Sequence, residues 1–123
     1  MKSKYIDGLM GFAIGDAMGL PLVMMPREEL LKKPVTKMIG DGTYYQPVGT
    51  WSSNTSLMVA TIDSINAKCN VDLDDIANKL VSYKEHCSYT PYNEVFGLSK
   101  TTIKALENRI RDTLNQYISN PNF

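Results

Sequence analysis

The sequence predicts an all-α protein. Three observations carry this expectation. Apolar residues recur at spacings of three and four in several separate stretches. No run alternates apolar and polar residues over the length of a strand. The breaks between the stretches hold proline, glycine or helix-capping residues. The 123 residues suffice for one core and read as a single domain over 1–123, with no repeat, low-complexity block or linker.

The first helix is expected from about Lys4 to Met18, with Ile6, Leu9, Met10, Ala13 and Ala17 on one side. Gly8, Gly11, Gly15 and Gly19 recur along it at three, four and four. Glycine inside a helix costs roughly 1 kcal/mol relative to alanine. Close approach of other backbone would offset that, so this helix is expected to be central and tightly surrounded. Gly19-Leu20-Pro21 stops it, and Pro26 opens a short helix through Leu31 that Pro34 closes. Gly40 to Gly49 reads as a long loop, with Asp41-Gly42 and Pro47 as turn residues.

A second long helix is expected from about Asn54 to Asn66, with Met58, Ile62 and Ile65 as its apolar face. A third starts at Asp72, whose carboxylate can cap the free N–H groups of the first turn. Leu73, Ile76, Ala77, Leu80 and Tyr83 form its stripe. Ser88 to Ser99 is a loop, and a last helix from about Lys100 to Ile118 carries Ile103, Leu106, Ile110, Leu114 and Ile118.

Hydrophobic residues make up 43% and charged residues 21%, the balance of a soluble globular chain. The formal net charge is zero, so no basic surplus exists to neutralise a phosphate backbone, and nucleic-acid binding is disfavoured. Cys69 and Cys87 lack zinc-like spacing and read as reduced thiols, consistent with a cytoplasmic protein. Asp7 and Asp16 interrupt the apolar N-terminal stretch, which is neither a signal peptide nor a membrane span.

Several segments together resemble one family. Gly11-Phe12-Ala13-Ile14-Gly15-Asp16-Ala17-Met18-Gly19-Leu20-Pro21 is similar to the opening signature of the ADP-ribosylglycohydrolases, the group of the dinitrogenase-reductase-activating glycohydrolase. Arg27-Glu28-Glu29-Leu30, Pro34 to Gly40, Gly49-Thr50-Trp51-Ser52, Tyr89-Thr90-Pro91, Glu94-Val95-Phe96 and Thr101 to Leu106 follow in family order. The resemblance implies an all-α orthogonal bundle, of which this chain would be the N-terminal half. It also implies cleavage of a glycosidic bond to ADP-ribose, with magnesium held between carboxylates.

The chain departs from that pattern where the chemistry sits. The resemblance implies a glutamate two residues after Pro21, and the chain has Val23. It implies two metal-binding aspartates after Gly49-Thr50-Trp51-Ser52, and the chain has Ser53 and Asn54. It implies Phe-Asp-x-Gly in the later loop, and the chain has Phe96-Gly97-Leu98-Ser99. A further metal motif of longer family members has no counterpart here, since Asp72-Leu73-Asp74-Asp75 reads as a helix cap.

Neutral oxygens compete poorly with water for magnesium, and valine exchanges no proton. The expectation is therefore a catalytically inactive relative that needs no metal or cofactor. Asp16, Ser52, Ser53, Asn54, Thr55, Gly97 and Ser99 would line a remnant ligand cleft. Ser52 and Thr55 are explained by helix capping, and Asp16 by local hydrogen bonding near a helix end. His86 beside Cys87, Trp51, and the cluster Lys100, Lys104, Arg109 and Arg111 each have an ordinary structural explanation.

Met24-Met25 could pack in the core or adapt to a partner. Half a bundle would leave apolar faces open, so a homodimer or a protein partner is expected. A small phage or mobile-element inhibitor of a host enzyme or defence complex is one form such a protein takes. Two alternatives keep the ligand: an ADP-ribose sensor or sponge, and a residual hydrolase completed by dimerisation.

Overall fold

The computed structural model describes residues 3–120, and five α-helices account for most of them. They are α1 (Lys4–Gly19), α2 (Arg27–Lys32), α3 (Ser53–Lys68), α4 (Leu73–His86) and α5 (Lys100–Ser119). Short 3-10 turns occupy Leu20–Leu22 and Gly42–Tyr44. Among the described residues there is no strand, only an isolated antiparallel bridge between Asp41 and Gln46. The all-α expectation holds, and the helix limits lie within about two residues of those expected. One detail differs: Pro26 stands at the N-cap of α2, and Arg27 is the first helical residue. The chain divides into two compact units, one ending at Thr55 and the other beginning at Ser56.

In the first unit the 3-10 turn after α1 packs against the one at Gly42–Tyr44. Gly42 has φ +69°, and a Cβ placed there would lie 2.5 Å from the Pro21 Cα. Only glycine satisfies both demands. The Thr43 hydroxyl donates to the Val23 carbonyl at 2.5 Å, and Asp41 and Gln46 exchange backbone hydrogen bonds of 2.8 and 3.4 Å. These contacts hold Leu20 and Pro21 buried.

The glycines of α1 behave otherwise than expected. A Cβ at Gly8, Gly11, Gly15 or Gly19 would meet nothing within 4 Å among the described residues. Ala17 is the buried residue of this helix, while Tyr5, Ile6, Met10, Phe12 and Ile14 are exposed. The close backbone approach expected at α1 occurs instead between Gly42 and Pro21.

The second unit is built on α3, α4 and α5. Asp72 caps α4, accepting from the Asp74 and Asp75 amides at 3.1 and 3.0 Å. The buried Ser64 hydroxyl of α3 donates to Asp75 at 2.6 Å. Helices α4 and α5 pack together, with Arg109 of α5 paired to Asp74 at 3.0 Å and donating to Asn78 at 3.3 Å. The loop after α4 is tied back to α3 twice. Ser56 donates to the Tyr89 carbonyl at 2.9 Å, and the Tyr89 hydroxyl donates to Asp63 at 2.6 Å. Lys79 reaches the same Asp63 oxygen at 2.8 Å, and the ammonium first and the phenol second hold that carboxyl below its ordinary range.

Tyr83 is 2% exposed, and burial, aided by Cys87, raises its hydroxyl pKa from 10.0 to about 12. The native state thus holds this proton more tightly than the unfolded chain does. The stability it contributes is intact below pH 10 and is lost as pH rises through about 12. Tyr83→Phe is expected to flatten the alkaline limb of a stability–pH curve in that window, measured by urea unfolding. For the glycines, Gly42→Ala is expected to lower stability by about 2–4 kcal/mol, from positive φ plus overpacking. Gly15→Ala is expected to raise it by about 0.5–1 kcal/mol. Thermal unfolding of the two variants beside the parent chain checks both signs.

Candidate functional site

The helix entrance at Gly49 to Ser56 is built from a turn and a carboxylate. Gly49 has φ +83°, and Thr50 closes the turn by donating to the Pro47 carbonyl through its amide at 3.2 Å and its hydroxyl at 2.8 Å. This directs the first turn of α3 toward Asp16 in the last turn of α1.

Asp16 accepts four hydrogen bonds there. The Ser52 amide donates to Oδ2 at 2.9 Å, and the Ser52 hydroxyl donates to Oδ1 at 2.6 Å. The Thr55 amide and hydroxyl both donate to Oδ2, at 3.3 and 2.6 Å. The Ser52 hydroxyl also accepts from the Asn54 amide at 3.1 Å. Three of these bonds fall on Oδ2 and one on Oδ1, so Oδ2 is saturated while Oδ1 keeps one acceptor position. Its negative charge also sits at the positive end of α3. The two 2.6 Å hydroxyl bonds have the length of charge-assisted hydrogen bonds.

The structure therefore brings together three of the expected site residues: Asp16, Ser52 and Thr55. The Ser52 hydroxyl caps the helix start by accepting from the Asn54 amide, whereas the Thr55 hydroxyl caps nothing and donates to Asp16, whose carboxylate accepts the Ser52 and Thr55 amides. The hydrogen bonding of Asp16 is long-range, spanning 36 and 39 residues, and not local to its own helix end. Ser53 and Asn54 lie in the same turn of α3, half-buried and exposed, and their side chains make no hydrogen bond among the described residues.

Gly97 and Ser99 belong to the other compact unit. Gly97 has φ +65°, and Ser99 is the N-cap of α5, accepting from the Thr102 amide at 3.1 Å. Their local geometry is that of a turn and a helix cap. Val23 caps the 3-10 turn and offers its carbonyl to Thr43. Met24 is fully in the open with φ +67°, and Met25 lines an apolar groove with Leu22, Leu30, Val35 and Ile39. Sequence reasoning missed that groove, whose lining residues are spread over two elements and the chain between and after them.

The divalent metal implied by the family resemblance does not fit this donor set. The carboxylate of Asp16 is already engaged by four donors at the entrance of α3, and the flanking Ser53 and Asn54 carry no charge. Among the described residues no three His, Cys, Asp or Glu side chains gather. A hard cation prefers six or more oxygens, with carboxylates among them.

The sequence pattern of ADP-ribosylglycohydrolases matches residues 1–121. The chain belongs to the ADP-ribosylglycohydrolase family. It is 31% identical over 104 residues to the ADP-ribosylarginine hydrolase Tri1 of Pseudomonas putida (strain GB-1), covering 85% of this chain and 27% of that protein. It is 31% identical over 108 residues to Tri1 of Serratia proteamaculans (strain 568), covering 88% of this chain and 29% of that one. The chain thus spans less than a third of the length of these curated relatives. No described helix is long and apolar enough to cross a membrane.

Asp16→Asn keeps the shape and replaces one acceptor oxygen by a donor facing hydroxyl and amide donors. It is expected to destabilise the chain by about 1–3 kcal/mol, the penalty of leaving charge-assisted partners unmet. Thr55→Val, which removes one donor from the same carboxylate, is expected to have a smaller effect. Urea unfolding of the two variants tests the order.

Proposed function

We propose that this chain acts by binding protein and that its family site no longer hydrolyses an ADP-ribosyl bond. The observation that carries the reading is the state of the α3 entrance. The carboxylate present there, Asp16, accepts four hydrogen bonds from the helix start, and the adjacent Ser53 and Asn54 are neutral. Val23, where the family resemblance implies a glutamate, adds no titratable group. Glycosidic cleavage needs a proton-exchanging group and, in metal-assisted hydrolysis, an ion to polarise water. The protein-binding half draws support from the large apolar side chains in the open on α1 and at Met24.

The curated relatives are ADP-ribosylarginine hydrolases, so ADP-ribosylarginine is the substrate to offer. With and without magnesium, release of ADP-ribose by the chain is expected to stay at the uncatalysed rate. Magnesium-dependent turnover abolished by Asp16→Asn would overturn the reading. Calorimetry with ADP-ribose is expected to show no heat; saturable heat would favour a nucleotide sensor instead. The double variant Ser53→Asp, Asn54→Asp is expected to gain weak magnesium affinity, measured in the same calorimeter.

A further inference from the structure

The apolar groove of the first unit has a chemistry of its own. Leu22, Met25, Leu30, Val35 and Ile39 line a cavity of about 350 Å³. Lys32 and Lys33 also line it, with Glu29 as the one acid. Neither lysine is in an ion pair among the described residues. An apolar floor beside unpaired cations fits an occupant with an apolar body and negative charge.

The surroundings distinguish a protein segment from a small molecule. A small-molecule site encloses most of its ligand. Here apolar side chains continue outside the groove: Met24, next to Met25, is 88% exposed, and Leu31 of α2 is 69% exposed. Flexible methionines beside an apolar groove adapt to an inserted side chain. An occupant that fills the groove and covers these neighbours must be larger than the groove.

We propose that this groove docks an acidic amphipathic segment of a partner protein. A bulky apolar side chain of the segment enters between Met25, Leu30 and Ile39. Its carboxylates face Lys32 and Lys33. The inference deepens the protein-binding reading and rests on it for the presence of a partner, yet its test is independent of catalysis.

The probe is a short fluorescein-labelled helical peptide with leucines on one face and glutamates on the other. Two controls accompany it, one with lysine for each glutamate and one with alanine for each leucine. Fluorescence anisotropy gives affinity, and methionine-methyl NMR of the full chain reports on Met25. The acidic peptide is expected to bind and to move the Met25 methyl resonance. Each control, and the variant Lys32→Glu, Lys33→Glu, is expected to bind at least tenfold more weakly. Both lysines are exposed, so the variant should keep its fold; circular dichroism checks this, and Lys32→Gln, Lys33→Gln serves if it does not.

Equal binding by the lysine peptide, an unmoved Met25 resonance, or an unaffected charge variant would overturn the proposal. If decanoate shifts Met25 while no peptide does, the groove takes a small amphiphile and the protein segment is excluded. Turnover of ADP-ribosylarginine would instead defeat the loss of hydrolysis and leave the groove's occupant to be decided by the peptides.

Discussion

The first unit depends on one carboxylate. Asp16 sits at the end of α1, and four donors from Ser52 and Thr55 converge on it from the start of α3. Without it, two amides and two hydroxyls at a partly buried helix start would lose a charged acceptor, and the chain between the helices would lose one of its fixed ends. The other constraint on that chain is the contact of Gly42 with Pro21. The two act in series. The carboxylate sets where α3 begins, and the glycine sets how closely the intervening loop folds back on the turn after α1.

Structure and chemistry compete for the same oxygens in this arrangement. A carboxylate that accepts three hydrogen bonds on one oxygen and one on the other keeps a single acceptor position, far short of the six or more oxygens a hard cation prefers. The same helix entrance can therefore belong to a hydrolase family by sequence and serve this chain as a joint. Membership in the family is a statement about ancestry and fold; what the site does is decided by the side chains standing in it.

Much of the fold was legible because helix ends announce themselves locally. Asp72 and Ser99 cap within three residues of themselves, so reading a few neighbouring residues finds them. The family motifs were legible for a different reason, their order along the chain. What escaped was tertiary. Nothing near Asp16 in sequence tells that its partners lie 36 and 39 residues away. The glycines of α1 pointed to close packing by a sound rule, but the rule states what glycine permits, and the described structure uses that permission at Gly42. The departures at Val23, Ser53 and Asn54 were readable as identities. That Ser52 and Thr55 would converge on Asp16 was not. The groove around Met25 was half-seen, as a methionine pair without the neighbours that give it shape.

The open glycines of α1 also carry a consequence for motion. Each lowers helix propensity by about 1 kcal/mol, and among the described residues no packing at these positions offsets it. The helix is fastened at its C-terminal end, by Asp16, the buried Ala17 and the turn at Leu20–Leu22. Its amide protons should therefore exchange with solvent on a gradient, fastest in the turns that carry Gly8 and Gly11 and slowest near Asp16.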